Sequence, residues 1–274
     1  MWFASKTVTV ESFEIMKKNH YLVVMAGGSG TRFWPKSTAR EPKQLLSFGG
    51  TKTLLQQTLD RFPEIPKENQ WIVTTELLAQ AIQVQAPGAR VLAEPQARNT
   101  APCVFWAARL IADRDPEAVM LVMPADHTIP DQESFSKTIA SACHWAEKHD
   151  DLVTLGVRPT RAETGYGYLK LAAKSVAHSP TPTGVEAFVE KPNAARAEEF
   201  VAAGNYLWNG GMFVWKAKTI LRAFESAMPE MQAAWTASGQ QVASAYPQMT
   251  ATSIDFGVME KAKNVVTFEL NCGW

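Results

Sequence analysis

Ala26-Gly27-Gly28-Ser29-Gly30-Thr31-Arg32-Phe33-Trp34-Pro35, followed by Pro42-Lys43-Gln44, places three glycines and two cations in one short stretch. Glycines directly after a strand let the backbone come close to a ligand and point N–H groups at phosphate oxygens. Arg32 and Lys43 add positive charge, so the stretch suits a polyphosphate; a Gly-rich turn with solvated cations is the bland alternative. Met123-Pro124-Ala125-Asp126-His127 ends a second apolar run in a carboxylate. Such a hard oxygen is what Mg²⁺ prefers, in company with phosphate oxygens and water. Asp126 is therefore the candidate metal ligand and Mg²⁺ the candidate cofactor, with a structural cap as the competing role. His127 is a neighbour of the ligand with no proton transfer assigned. Later, Phe188-Val189-Glu190-Lys191-Pro192 sets a carboxylate beside an ammonium, and Trp208-Asn209-Gly210-Gly211 offers an amide and two glycines.

Two familiar phosphate motifs do not fit. Position 32 is Arg where a P-loop needs its second glycine. Position 33 is Phe where the dinucleotide fingerprint needs a small residue, which leaves a Rossmann dehydrogenase a distant third reading.

The elements that must position these groups follow from apolar spacing. Residues 21–26, Tyr-Leu-Val-Val-Met-Ala, form a continuous apolar run that reads as a strand buried on both faces. Leu55, Leu59 and Phe62 recur at helical spacing. Residues 71–73 and 90–93 read as strands and residues 77–84 as a helix. Asn99-Thr100-Ala101-Pro102 reads as a helix start, with a capping side chain and a proline in the first turn. Residues 118–123 and 152–157 are further strands, and Phe135, Ile139, Ala142 and Ala146 mark the helix between them. This alternation predicts an α/β fold with a Rossmann-like, doubly wound, mainly parallel sheet. In such a sheet the loops at the carboxyl ends of the strands form the ligand crevice. The pattern then changes: residues 166–171 and 185–190 alternate like strands with one wet face, separated by Pro180, Pro182 and Gly184. The sheet is therefore expected to be mixed, with antiparallel additions in the second half.

The 274 residues are 46% hydrophobic and carry 27 basic and 27 acidic side chains. Zero net charge with no polybasic tract argues against nucleic acid and anionic membranes as partners. No apolar run reaches the length that crosses a bilayer. Cys103, Cys143 and Cys272 are odd in number and widely spaced, which argues against a disulfide framework or zinc site and fits a reducing cytoplasm. Residues 1–19 carry Glu11 and Glu14, lack the apolar stretch of a secretory signal, and read as an N-terminal extension; Met16 is an alternative start. Nine tryptophans are expected in the core or on a dimer surface, which leaves room for a homodimer.

The stretch G-G-S-G-T-R-x-W-P with the following P-K-Q resembles the signature of the nucleoside-diphosphate-sugar pyrophosphorylases, or sugar-1-phosphate nucleotidyltransferases, and their guanylyltransferase branch in particular. The resemblance implies transfer of GMP from GTP to mannose 1-phosphate by a catalytic domain over residues 20–274. It implies that Gly27 and Gly28 lie against base and ribose, that Ser29, Gly30, Thr31 and Arg32 hold phosphates, and that Lys43 steadies them during transfer. Glu94-Pro95-Gln96-Ala97-Arg98-Asn99-Thr100-Ala101-Pro102 resembles the family segment near guanine, so Asn99 and Thr100 are candidate base contacts as well as a helix start. Pro124-Ala125-Asp126-His127 resembles the metal motif. The sugar pieces imply Gly167, Glu190 and Asn209 on hydroxyls and Lys191 on the phosphate, with Arg32, Lys43 and Lys191 as the catalytic cations. Ser253-Ile254-Asp255-Phe256 also occurs in similar form in the family, but here reads first as a helix cap.

The sequence ends at Asn271-Cys272-Gly273-Trp274, which resembles the lead-in to a W-[SN]-D segment whose Asp is the family's second metal ligand. As given, it reads as a truncated or a naturally short chain, with Mg²⁺ resting on Asp126, triphosphate oxygens and water and activity correspondingly weak. The alternatives are the same fold acting on glucose 1-phosphate with UTP or dTTP, and a nucleotide or nucleotide-sugar binding protein.

Overall fold

A computed structural model describes residues 18–28 and 34–274. Ser29, Gly30, Thr31 and Arg32, and almost all of the expected N-terminal extension, lie outside the described residues.

The first half alternates strand and helix: β1 His20–Met25, α1 Leu54–Asp60, β2 Gln70–Thr75, α2 Glu76–Gln85, β3 Arg90–Glu94, α3 Thr100–Arg114, β4 Val119–Pro124, α4 Gln132–Lys148 and β5 Leu152–Val157. The second half adds β6 Tyr168–Leu171, β7 Thr183–Val189, α5 Ala194–Ala203, β8 Tyr206–Lys216, α6 Ala217–Ala227, α7 Pro229–Ala237 and β9 Val265–Leu270. The strands form one mixed sheet in the order β3-β2-β1-β4-β8-β5-β9-β7-β6, and β6 also pairs with β8. β1 runs parallel to β2 and β4, β2 to β3, and β5 to β9.

Side chains of successive strand residues point to opposite faces, and both faces of this sheet are covered. Tyr21 and Val23 of β1 join a core with Phe105 and Trp106 of α3, Phe224 of α6 and Trp235 of α7. Leu22 and Val24 join a second core with Leu55 and Leu59 of α1, Ile82 of α2, and Phe135 and Ile139 of α4. That two-sided burial explains why β1 and β4 are continuous apolar runs rather than alternating ones. Trp71, Trp106, Trp208, Trp215 and Trp235 are buried, which takes five of the tryptophans into the cores.

The second half does add antiparallel strands, with β6 and β7 paired, but the sequence pattern does not suggest where β8 sits. β8 lies between β4 and β5 and pairs antiparallel with both. β6 is buried along most of its length instead of showing one wet face, because Tyr168 packs with Ala197 and Phe200 of α5 while Leu169 and Leu171 pack with Leu207, Val185 and Phe188. β7 is the exposed one.

Candidate active site

Parallel strands bring their carboxyl ends to the same edge, and the candidate residues follow from that. Met25 of β1 stands opposite Pro124 of β4, so the glycine stretch and Asp126 leave the sheet side by side. Thr75 of β2 stands opposite Glu94 of β3. Because β8 runs the other way, its amino-terminal part reaches this edge, with Asn209 beside Gly156 of β5.

The glycine stretch is held from below. Gln44, a buried amide, donates to the carbonyl oxygens of Ala26 (2.9 Å) and Gly28 (3.0 Å). The Thr74 hydroxyl donates to the Ala26 carbonyl as well (3.1 Å). Gly27 is a glycine for lack of space: a Cβ there would lie 2.7 Å from Glu94 Oε2. Glu94 is 4% exposed. Burial raises its pKa, while the hydrogen bond donated by the Tyr246 hydroxyl to its other oxygen opposes the rise. Among the described residues nothing fills the same position at Gly28, which is exposed.

Lys43 Nζ approaches Asp126 Oδ2 at 3.5 Å, joining the cation from one side of the loop to the carboxylate at the end of β4. The Asp126 side chain is 44% exposed. Among the described residues no three His, Cys, Asp or Glu side chains gather in a way that could hold an ion by themselves. A single accessible carboxylate fits a divalent cation that completes its shell with phosphate oxygens and water. His127 is a neutral imidazole: burial is the first cause that lowers its pKa, to about 4, with Arg61 and Lys43 acting the same way against Asp126. Its Nδ1 accepts from the Trp274 indole N–H (2.9 Å). An indole N–H can only donate, so the proton of this imidazole resides on Nε2.

Asn99 caps α3, its Oδ1 accepting from Thr100 N (2.8 Å), from a backbone with φ 66°. Thr100 Oγ1 accepts from Ile254 N (2.8 Å), and Ala101 N donates to Thr252 O (3.0 Å). The start of α3 is thereby tied to the segment that carries Asp255.

Gly167, Glu190 and Asn209 come together. A Cβ on Gly167 would lie 2.5 Å from Glu190 Oε2 and 3.5 Å from Asn209 Cβ, and Asn209 N donates to Gly167 O (2.8 Å). Lys191 Nζ pairs with Glu190 Oε1 at 2.7 Å while 60% of its side chain stays exposed. Its φ of 43° is unusual for a residue with a Cβ, and such backbone strain tends to gather at binding sites. The two halves of the edge are bridged by Trp274, whose ring meets those of His127 (5.3 Å) and Tyr166 (5.2 Å).

Two residues here escaped sequence reasoning. Gln44 was visible only as part of the P-K-Q run. Asp255 follows Ser253, whose hydroxyl does cap the turn by accepting from Phe256 N (3.2 Å), so the cap is real. Asp255 itself points elsewhere: Asn209 Nδ2 donates to its Oδ1 (2.9 Å). Burial, then the nearby Glu190 charge, push its pKa up to about 6. No local sequence signal reveals a contact made across 46 residues.

Gly27 and Gly28, Lys43 and Asp126 stand together at the carboxyl edge of a mixed α/β sheet, where sheets of this class bind their ligands. The chain belongs to the nucleotidyl transferase family, whose pattern matches residues 21–268. It is 38% identical over 274 aligned residues to the alginate biosynthesis protein AlgA of Pseudomonas fluorescens, covering 92% of this chain and 55% of that one. It is 34% identical to the mannose-1-phosphate guanylyltransferase of Escherichia coli, covering 93% of this chain and 57% of the relative. The chain thus spans little more than half the length of these relatives. Among solved structures, a Thermus thermophilus protein described as mannose-1-phosphate geranyltransferase superposes with a TM-score of 0.84 at 36% identity, covering 92% of this chain and 74% of that one.

Proposed function

We propose that residues 20–274 form a catalytic unit that transfers GMP from GTP to α-D-mannose 1-phosphate, giving GDP-mannose and pyrophosphate. The observation that carries this reading is the pairing of two half-sites on one sheet edge. Lys43 and Asp126 sit beside the glycine stretch, and Gly167, Glu190 and Asn209 are packed together next to Lys191. The first suits a nucleoside triphosphate and the second a phosphorylated hexose. The β3-β2-β1-β4 half, parallel throughout, supports a Rossmann-like nucleotide-binding half-sheet. The names of the relatives above support guanine and mannose as the substrate pair. Three free, buried cysteines suit a reducing compartment such as the cytoplasm.

The sugar 1-phosphate arrives ionised, so its oxygen needs no general base. That oxygen forms a bond to the α-phosphorus of GTP in line, as the bond to the bridging oxygen of the β-phosphate breaks and pyrophosphate leaves with that electron pair. Catalysis of this kind is positioning and charge stabilisation. In this reading Gly27, Gly28, Ser29, Gly30 and Thr31 take the nucleotide, Arg32 meets the leaving pyrophosphate and Lys43 the reacting phosphorus. Asn99 and Thr100 line the base side. Lys191 exchanges its Glu190 partner for the sugar phosphate, and Glu190 and Asn209 turn to hydroxyls. Mg²⁺, when bound through Asp126, supplies charge neutralisation on the triphosphate.

Pyrophosphate release from a substrate panel tests the proposal. GTP with mannose 1-phosphate is expected to be the fastest pair in Mg²⁺, with EDTA abolishing turnover. Faster release from UTP or dTTP with glucose 1-phosphate would replace the substrate assignment, and nucleotide binding without turnover would replace the activity. Lys191→Ala is expected to raise KM for the sugar phosphate at least ten-fold more than KM for GTP. Equal effects on both substrates would remove the role given to Lys191.

A further inference from the structure

Asn209 is held at three points. Its Oδ1 accepts from Thr154 Oγ1 (2.9 Å) and from Gly211 N (3.2 Å), and its Nδ2 donates to Asp255 Oδ1 (2.9 Å). A backbone N–H can only donate and a carboxylate only accept, so these partners fix which end of the amide is which. Among the described residues the other N–H of the amide has no acceptor and remains for a ligand. The Cβ of Asn209 lies against Gly167, whose missing Cβ leaves room for Glu190 Oε2. Asp255 is supplied by a π-helical turn, Asp255–Met259, between α7 and β9, far in sequence from every other member of the group. Its neighbour Ile254 is bonded through N–H to the Thr100 hydroxyl.

We propose that Asp255 is a positioning residue of the sugar half-site: by accepting from Asn209 it locks the amide so that its remaining N–H and the Glu190 carboxylate together present one donor and one acceptor to neighbouring hexose hydroxyls. This rests on the sugar half-site being where the preceding proposal puts it. The lock needs an acceptor at position 255 and not a charge, because the bond is made to a single oxygen. Asp255→Asn keeps that oxygen; Asp255→Ala removes it.

The experiment compares binding of GDP and GDP-mannose to the wild-type chain and the variants, alongside wild-type turnover of GTP with mannose 1-phosphate. GDP reports the nucleotide half alone, and the ratio of the two affinities isolates the sugar half. Asp255→Ala is expected to lower the GDP-mannose affinity about ten-fold with the GDP affinity unchanged, and Asp255→Asn to restore it to within about three-fold. In an Asn209→Ala background, Asp255→Ala is expected to add less than about two-fold, since coupled residues are not additive. An unchanged affinity ratio in Asp255→Ala, an equal loss for GDP, no rescue by Asp255→Asn, or a full additional loss in the Asn209→Ala background would each overturn the inference. Failure of the functional proposal is separate: it would be seen as absent wild-type turnover while the affinity ratio still responds to Asp255. A wild-type chain that binds neither nucleotide overturns both.

Discussion

Gly27 and Gly28 are neighbours with different reasons to be glycine. A Cβ at Gly27 meets the buried Glu94 carboxylate at 2.7 Å, and Glu94 is itself fastened by the Tyr246 hydroxyl; a Cβ at Gly28 meets nothing within 4 Å among the described residues. Gly27→Ala is therefore expected to destabilise the fold by about 1–3 kcal/mol, the ordinary range for forcing an atom into a packed interior. Gly28→Ala is expected to unfold within about 0.5 kcal/mol of wild type. Urea unfolding of both variants checks the contrast, and equal stabilities would contradict it. Asp255 gives a pH-dependent counterpart. Its pKa lies at about 6 in the folded chain against an ordinary 3.8, so the folded state holds the proton more tightly. Ionising it in place opposes folding: the penalty is absent below about pH 4, grows between pH 4 and 6, and is complete above that range. Asp255→Asn carries no such charge. It is expected to be more stable than wild type at pH 8, by at most ~3 kcal/mol, with the difference vanishing near pH 4. A stability gap that is constant across pH would rule this out.

At the scale of elements, β8 decides the geometry of the sugar half. It enters the sheet between β4 and β5 and turns its amino-terminal end, with Asn209, toward the edge where the parallel strands end. The fit is tight at Gly156, opposite Asn209, where the β5 register shifts. A Cβ there would lie 2.6 Å from Leu207 Cδ1 and 2.9 Å from both Leu207 Cβ and Thr267 Oγ1. Gly156→Ala is expected to cost about 1–3 kcal/mol of stability and to weaken GDP-mannose binding more than GDP binding, because β8 must yield beside Asn209. Wild-type affinity for GDP-mannose in a destabilised variant would separate the strand from the site. The strands of the first half were legible because two-sided burial writes long apolar runs, and β1, β4 and β5 lie within a residue or so of the expected bounds. The place of β8 was not legible. Its eleven residues mix glycines and an amide with aromatics, and nothing in a strand's own sequence says which two strands it will separate.

At the scale of the whole molecule, the α/β class was readable from the alternation of elements, and membership of the nucleotidyl transferase family agrees with the resemblance carried by the glycine stretch. Candidate residues that sit at strand ends, such as Asp126 and Glu190, could be named because a polar residue closing an apolar run is a local signal. Gln44 and Asp255 act through contacts made across the chain, to Ala26 and to Asn209, and only folding brings those pairs together. What the sequence could not express is that the start of α3, the turn at Asp255 and the sugar half-site form one connected set of hydrogen bonds.

The central claim is that both half-sites serve one ligand in one crevice. A crystal structure of the chain with GDP-mannose and Mg²⁺ tests it most directly. The account predicts the guanosine between the glycine stretch and the start of α3, the diphosphate between Lys43 and Lys191 with the metal on Asp126, and the hexose against Gly167, Glu190 and Asn209. A single bound molecule that leaves Lys191 and Asn209 untouched, or that lies on another face of the sheet, would contradict it.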